Sequence, residues 1–345
     1  MPAIKKVPKS NTIIQVAEAT GLSPATISRV LNNHPYVKEA TKKKVLEMIE
    51  KLGYQRNNIA SGLRSNKTRT IGLIVPRISM FFHAEVITTI QNILYRHGYN
   101  LTICQSNDSV EMEKDLLRTL QATRVDAVVA ACTLHTTDFT PYEQLMNSGM
   151  PVIFYDRVPV ERTSAIVIKG DDLQGGYLAT SHLIEIGCKK IAHISGPLDC
   201  NLYQDRLKGF YNAMKIGNIP VRKEWLFYQE LTKENARIAL KKIFEGTELP
   251  DGLVADNDTT AIAALKFAKE MGLKVPADLK IVGYSNDPRS EIISPSITTI
   301  EQYPTQMGEK IVDVLMSLLQ HKNLNQAEMT APVIIPVQLI RRLST

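Results

Sequence analysis

From residue 71 onward the chain alternates short, nearly continuous apolar runs with amphipathic stretches of helical period, and this alternation constrains the fold more than any other feature. A strand that is apolar at every position has no face to offer water. It needs helices packed on both sides, the condition met by a parallel sheet built from βα units. Strands are expected at 71–75, 101–104, 127–131 and 152–155, followed by a second series at 165–168, 191–195, 226–228, 253–255 and 281–284. Helices are expected between them at 83–96, 110–122, 173–186, 205–215, 235–244 and 259–271. Two such series imply two doubly wound parallel-sheet lobes, alike in pattern but without a strong internal repeat.

The first 55 residues carry helical signals only. Thr12 is placed to cap a short helix bearing Ile13, Val16 and Ala17, with Gly21 ending it in a left-handed turn. Ser23 caps a second helix with Pro24 at its first position and Ile27, Val30 and Leu31 on its inner face. A third helix is expected at about 41–52, with Val45, Met48, Ile49 and Leu52 inward, Lys42, Lys43 and Lys44 near its start and Gly53 closing it. The fold class is thus α/β: a small all-α head followed by two parallel-sheet lobes.

Charge separates the same two parts. Residues 1–69 hold 13 Lys and Arg against 4 Asp and Glu, a balance of +9, and the remainder of the chain balances at −3, so the net charge of +6 conceals a basic head on a slightly acidic body. A folded head of that sign suits a polyanion, because Lys and Arg gain affinity by releasing the counterions condensed on DNA. A solvated basic tail would lack the apolar periodicity and the caps. The outward face of the second helix supports DNA reading: Pro24, Ala25, Thr26, Ser28, Arg29 and Asn32 offer small groups for close approach, hydroxyls for phosphates, and a guanidinium able to pair with guanine in the major groove.

The run VAEATGLSPATISRVLN, residues 16–32, closely resembles the amino-terminal signature of the lactose-repressor family. The likeness continues through VKEATKKKVLEMIEKLGYQRN, IASGL and IGLIVP. Weaker ordered matches follow in VIFYDR, GGYLATSHLIEIGCKKIAHISGP, DRLKGF, LKIVGYSND and PSITTIEQ, so the likeness covers essentially the whole chain. The resemblance implies a transcriptional regulator, most often a repressor. Its helix-turn-helix head spans 1–55 and a hinge helix and linker span 56–70. The first effector-binding lobe takes 71–160 and 294–325, and the second takes 161–293 and 326–345. It also implies that the long helix at 306–319 and a strand at 333–337 cross between lobes.

Further implications concern residues. The DNA-binding set becomes Thr12, Ser23, Pro24, Ala25, Thr26, Ser28, Arg29 and Asn32, joined by Asn57, Ile59, Ala60 and Leu63 of a hinge that orders on operator DNA. Leu63 is the apolar wedge that unstacks a central base step. Arg56 stands where the family commonly has proline, and Gly62 lies inside the hinge helix, where glycine is costly. Effector positions map onto Phe82, His83, Asp156, Arg206, Asn257, Asp258, Ser285 and Asn286, with Arg157 beside Asp156 suited to an acidic group on the ligand. Each has a plainer alternative: Asp258 or His83 as helix caps, Arg206 paired with a surface acid. A purine-binding member of the family uses an arginine, a threonine and an aspartate where this chain has Cys200, Leu202 and Ser285. The expected effector is therefore a sugar or sugar derivative. Partners are a pseudo-palindromic operator and a second copy of the chain, in a homodimer or tetramer.

Other function classes lack support. Neither a phosphate-binding GxxxxGKS/T loop nor a GxGxxG, GxSxG or HExxH motif occurs, so no catalytic or metal residue and no cofactor is expected. His83-Ala84-Glu85 fits the start of a zinc-deaminase motif, yet no PCxxC follows. Cys104, Cys132, Cys188 and Cys200 are dispersed without CxxC spacing and read as buried thiols. An extracytoplasmic solute-binding protein would share the two lobes. It would also need an export signal, which is not evident at residues 1–10, so the expected location is the cytoplasm, with no membrane partner.

Overall fold

A computed structural model of the chain describes residues 12–31, 34–54, 68–160, 164–320 and 331–345. It divides into two compact units, Met1–Thr68 and Arg69–Thr345.

The first unit contains α1 (Ile13–Thr20), α2 (Pro24–Leu31) and α3 (Glu39–Leu52). Thr12 and Gln15 form a reciprocal capping box at the start of α1, and Gly21 ends it at φ 70°. That left-handed turn needs glycine, and it lets the Leu22 amide reach back to the Ala17 carbonyl at 3.1 Å. Ser23 Oγ accepts the Thr26 amide at 3.2 Å, as its place before Pro24 suggested. Val16, Ala17, Ile27, Val30 and Val45 make the small core. Each fully buried valine or isoleucine there contributes about 1.5–3 kcal/mol.

In the second unit, six parallel strands form one sheet: β1 (Thr70–Val75), β2 (Asn100–Gln105), β3 (Ala127–Ala130), β4 (Val152–Tyr155), β5 (Ile166–Gly170) and β11 (Val333–Ile335), in the spatial order β11-β5-β4-β3-β1-β2. Helices α4 (Phe81–Arg96) and α12 (Pro304–Gln320) supply Val86, Ile90, Leu94, Met307 and Ile311 to one face. On the other face α5 (Val110–Ala122) and α6 (Thr140–Asn147) bring Leu117, Leu120, Tyr142 and Leu145. Covering both faces is what the uninterrupted apolar runs required.

A second parallel sheet has the order β7-β6-β8-β9, from β6 (Ile191–Ser195), β7 (Leu226–Tyr228), β8 (Gly252–Ala255) and β9 (Lys280–Val282). It lies between α7 (Asp172–Glu185) with α8 (Asn201–Ile216) and α9 (Lys233–Phe244) with α10 (Asp258–Glu270). The short helix α11 (Pro288–Ile292) and the antiparallel pair β10 (Thr299–Glu301) and β12 (Gln338–Ile340) complete the fold.

Strand pairing corrects the lobe limits. The strand expected at 165–168 to open the second series instead pairs with β4, Ile153 opposite Ile166, and with β11. The chain leaves the first sheet only at Gly170. An apolar run carries no information about which sheet its hydrogen bonds will join, so periodicity alone placed it wrongly. The strand expected at 333–337 is β11, which belongs to the first sheet, and the separate strand β12 beyond it pairs with β10. The long helix, expected to cross between lobes, packs on α4 within the first lobe. Two helices, α6 and α11, and the strands β10 and β12 were not expected. Among the described residues no helix is long and apolar enough to cross a membrane.

Candidate functional site

On the head, Pro24, Ala25 and Arg29 are exposed, while Thr26 and Ser28 are half-buried. Ser23 Oγ and Thr26 Oγ1 lie 2.9 Å apart, so these two hydroxyls organise the start of α2 as well as facing outward. Thr12 is engaged with Gln15 in its cap. Thr26 and Arg29 line an open groove of about 450 Å³ together with His34, Tyr36, Val37, Lys38 and Thr41. Asn32, Arg56, Asn57, Ile59, Ala60, Gly62 and Leu63 lie outside the described residues.

The sensor residues gather where α4 and β4 of the first lobe meet α7 and α8 of the second. His83, the third residue of α4, is 1 % exposed, and its Nδ1 lies 3.1 Å from the Tyr155 hydroxyl. It does not cap its helix. Burial, with Arg157 adding to it, pushes the imidazole down to about 3, so His83 is neutral. Its Nε2 stands 3.9 Å from Asp156 Oδ2, and Phe82 packs edge-on against the His83 ring. Asp156 follows β4 with φ 58°, a left-handed conformation unusual for aspartate. Burial and then Asp172 push its carboxyl up to about 6. Among the described residues that carboxylate accepts no hydrogen bond.

Arg206 enters from α8, whose Leu207 and Phe210 anchor it inward. Its Nε donates to Asp172 Oδ1 at 2.8 Å and its Nη1 to the Asp256 carbonyl at 2.7 Å. The alternative of a surface acid is excluded, because the side chains of Arg206 and Asp172 are 4 % and 1 % exposed. Nη2 has no hydrogen-bond partner among the described residues. Behind it, Asp256 accepts from His193 and Ser195, whose Nε2 and Oγ lie 2.9 and 2.5 Å from its two carboxylate oxygens. Burial opposes the Asp256 charge, but His193 and Arg206 outweigh it and hold the carboxyl below its ordinary value.

Four expected effector residues are engaged elsewhere. Arg157 is 3 % exposed and pairs with Asp108 at 2.5 Å, so its charge is answered inside the first lobe. Asp258 is 1 % exposed and accepts from Thr299 Oγ1 and the Asp287 amide, both at 2.7 Å; it braces the second lobe against β10. Ser285 donates to Gln302 at 2.8 Å, and Asn286 donates to Glu301 at 2.6 Å while accepting from Arg342 at 2.7 Å. The cap of α10 is Asn257, which accepts the Thr260 amide at 2.8 Å and donates to the Leu231 carbonyl at 3.1 Å.

Sequence reasoning missed Asp172, Tyr155, Asn201 and Tyr284. For Asp172 a signal existed: Asp171 and Asp172 both precede one helix, which needs one cap. Asp171 takes it, accepting the Gln174 amide, and Asp172 turns inward to Arg206.

Residues 12–57 match the model for bacterial regulatory proteins of the lacI family, and residues 180–345 match the periplasmic binding protein-like domain. The HTH-type transcriptional repressor PurR of Aliivibrio fischeri (strain MJ11) is 34% identical over 338 residues, covering 96% of this chain and 99% of the relative. The lac repressor dimer bound to operator and the anti-inducer ONPF superposes with a TM-score of 0.86 at 25% identity, over 98% of this chain and 99% of that one. A complex of the transcriptional regulator CelR with cellobiose superposes with a TM-score of 0.73 at 25% identity, over 97% of this chain and 100% of that one. The helical head, the two parallel-sheet lobes and these likenesses agree: the chain belongs to the lacI family of bacterial regulatory proteins, DNA-binding transcriptional regulators controlled by a small-molecule effector.

Proposed function

We propose that this regulator is a repressor whose effector is a carbohydrate held between Asp156 of the first lobe and Arg206 of the second. The observation that carries this reading is a pair of unspent polar groups on opposite lobes: the Asp156 carboxylate and Arg206 Nη2. A sugar hydroxyl donates and accepts at once, so adjacent hydroxyls satisfy a carboxylate and a guanidinium together. His83, with Phe82 packed against its ring, adjoins Asp156, and Asn257 is read as a further contact from the second lobe. Asp258, Ser285 and Asn286 are read as bracing residues, and Arg157 as the partner of Asp108 rather than of an acidic ligand group. Cys200 and Leu202 pack with Leu134 in an apolar cluster, and the Ser285 hydroxyl is spent on Gln302, which favours a sugar over a nucleobase.

The remaining proposals follow from the family. Arg29 reads bases, with Thr12, Ser23, Pro24, Ala25, Thr26, Ser28 and Asn32 positioning α2, and Asn57, Ile59, Ala60 and Leu63 forming the hinge. A homodimer reads a pseudo-palindromic operator in the cytoplasm, and the chain has no catalytic role. The first lobe takes 69–170, 304–320 and 333–335, and the second takes 172–301 and 338–345. A thermal-shift screen against sugars, sugar phosphates, uronic acids and nucleobases tests the effector class, since a ligand of the folded state raises the melting temperature by mass action. A sugar should raise it in wild type and not in Asp156→Asn. A shift produced by nucleobases alone would overturn the carbohydrate reading.

A further inference from the structure

Asn201, the first residue of α8, is 4 % exposed and directs its side-chain amide to the opposite lobe, with only a weak 3.8 Å contact from the neighbouring Cys200 thiol on its own side. Its Oδ1 accepts the Val158 amide at 2.9 Å, and its Nδ2 donates to the Asp156 carbonyl at 3.1 Å. Beside it, Leu134, from the loop after β3, packs with Cys200, Leu202 and Tyr203 of the second lobe, none of the four more than 6 % exposed.

That loop is fastened from behind. Glu113 of α5 accepts the Thr133 amide and the Thr136 hydroxyl, each at 2.9 Å, and Asp108 accepts the Leu134 amide at 3.3 Å. Glu113 is 2 % exposed, and burial raises its carboxyl above the ordinary value. Committing a buried carboxylate to shape a loop is costly. The residue the loop presents, Leu134, meets the other lobe. Two further contacts join the lobes: a part-buried ion pair of Lys169 with Asp205 at 2.7 Å, which adds to the latch, and an exposed approach of His135 Nε2 to Glu230 at 3.7 Å, which contributes little.

We propose that Asn201 and the loop 133–136 form a latch that holds the two sensor lobes closed before an effector arrives. The proposal rests on the interlobe effector site above and names how that site is regulated. Both hydrogen bonds of the latch and its apolar cluster are made by protein groups alone, so they can form whether or not an effector is bound. The effector then meets a site already assembled, and its apparent affinity scales with the fraction of molecules that are closed. Asn201 also fixes the turn that carries Asp156, making it a positioning residue for that carboxylate.

Hydrogen exchange and small-angle scattering on the full-length, effector-free protein test the latch. Asn201→Leu is nearly isosteric and removes both interlobe hydrogen bonds, which should lower the closed-to-open ratio about tenfold. The Val158 amide should exchange about tenfold faster and the radius of gyration should rise, while 152–155 and 191–195 keep wild-type protection. Leu134→Ser, which leaves Asn201 in place, should shift scattering and Val158 exchange in the same direction. Unchanged scattering in both variants would overturn the latch. So would loss of protection at 191–195 in step with Val158, because Asn201 would then support folding of its own lobe. No ligand enters this experiment, so its failure leaves the effector assignment standing, and a failed ligand screen leaves the latch standing.

Discussion

Arg206 and Asp172 form an ion pair sealed inside the second lobe, with Nε 2.8 Å from Oδ1 and the guanidinium carbon 3.5 Å from the centroid of the Tyr284 ring. The Tyr284 hydroxyl donates to the same Asp172 oxygen at 3.1 Å. Arg206 thus serves its own lobe through Nε and Nη1, and in the proposed reading it serves the effector through Nη2.

These duties are separable by substitution. Arg206→Ala leaves the Asp172 charge buried and unpaired and should cost about 3–5 kcal/mol of stability. Arg206→Lys keeps a cation beside Asp172 but has no planar fork to reach the effector. It should remain folded, lose less stability than the alanine variant, and bind effector at least about tenfold more weakly. Urea denaturation and calorimetry of both variants check this. Wild-type effector affinity in a folded Arg206→Lys protein would remove Nη2 from the site.

Effector binding should depend on pH through Asp156, whose carboxyl is pushed up to about 6. A sugar hydroxyl donates to the ionised form, so affinity should be constant above that value and fall about tenfold per unit below it, as protonation competes with binding. Asp156→Asn should bind more weakly at pH 7.5 and show no such decline. Titrations from pH 7.5 to 5 measure both. A wild-type affinity that rises on acidification would mean the ligand needs the protonated acid.

The helices α7 and α8 approach so closely that a methyl group on Gly209 would overlap the Leu173 carbonyl, and one on Gly176 the Arg206 carbonyl. Gly209→Ala should cost roughly 1–3 kcal/mol by overpacking. Gly246, where an added Cβ would lie 3.4 Å from its nearest neighbour, serves as the control, and alanine there should change stability by less than about 0.5 kcal/mol. Equal midpoints in denaturant would contradict the packing account.

Arg29 is exposed on α2, and Arg29→Ala should lower affinity for a selected operator by about 1–3 kcal/mol while changing affinity for scrambled DNA much less. Parallel titrations on the two duplexes decide between base reading and a phosphate contact, which equal losses would indicate.

Local chemistry was legible and long-range hydrogen bonding was not. Thr12, Ser23, Gly21 and Gly53 could be placed because caps act within a few residues, and the strands at 127–130 and 152–155 because they are wholly apolar. The assignment of β5 failed because an apolar strand does not name its neighbour. Asp258 read as a ligand or a cap, yet its partner Thr299 lies 41 residues away, and Asn201 reaches Asp156 across 45. Of the proposed site, the resemblance named Asp156 and Arg206, while Asp172, which pairs with Arg206, emerged only from the packed helices.

The central claim is that a sensor reading its ligand through Asp156 and Arg206 controls a DNA-reading head. Its most direct test is the affinity of the wild-type protein for a selected palindromic operator and a scrambled duplex, with and without saturating sugar from the thermal-shift screen. The operator should be preferred by a factor on the order of 10³ or more, its affinity should change when the sugar is added, and Asp156→Asn should hold the operator normally without responding. Operator affinity indifferent to a bound sugar in the wild type, or equal binding to both duplexes, would contradict the account.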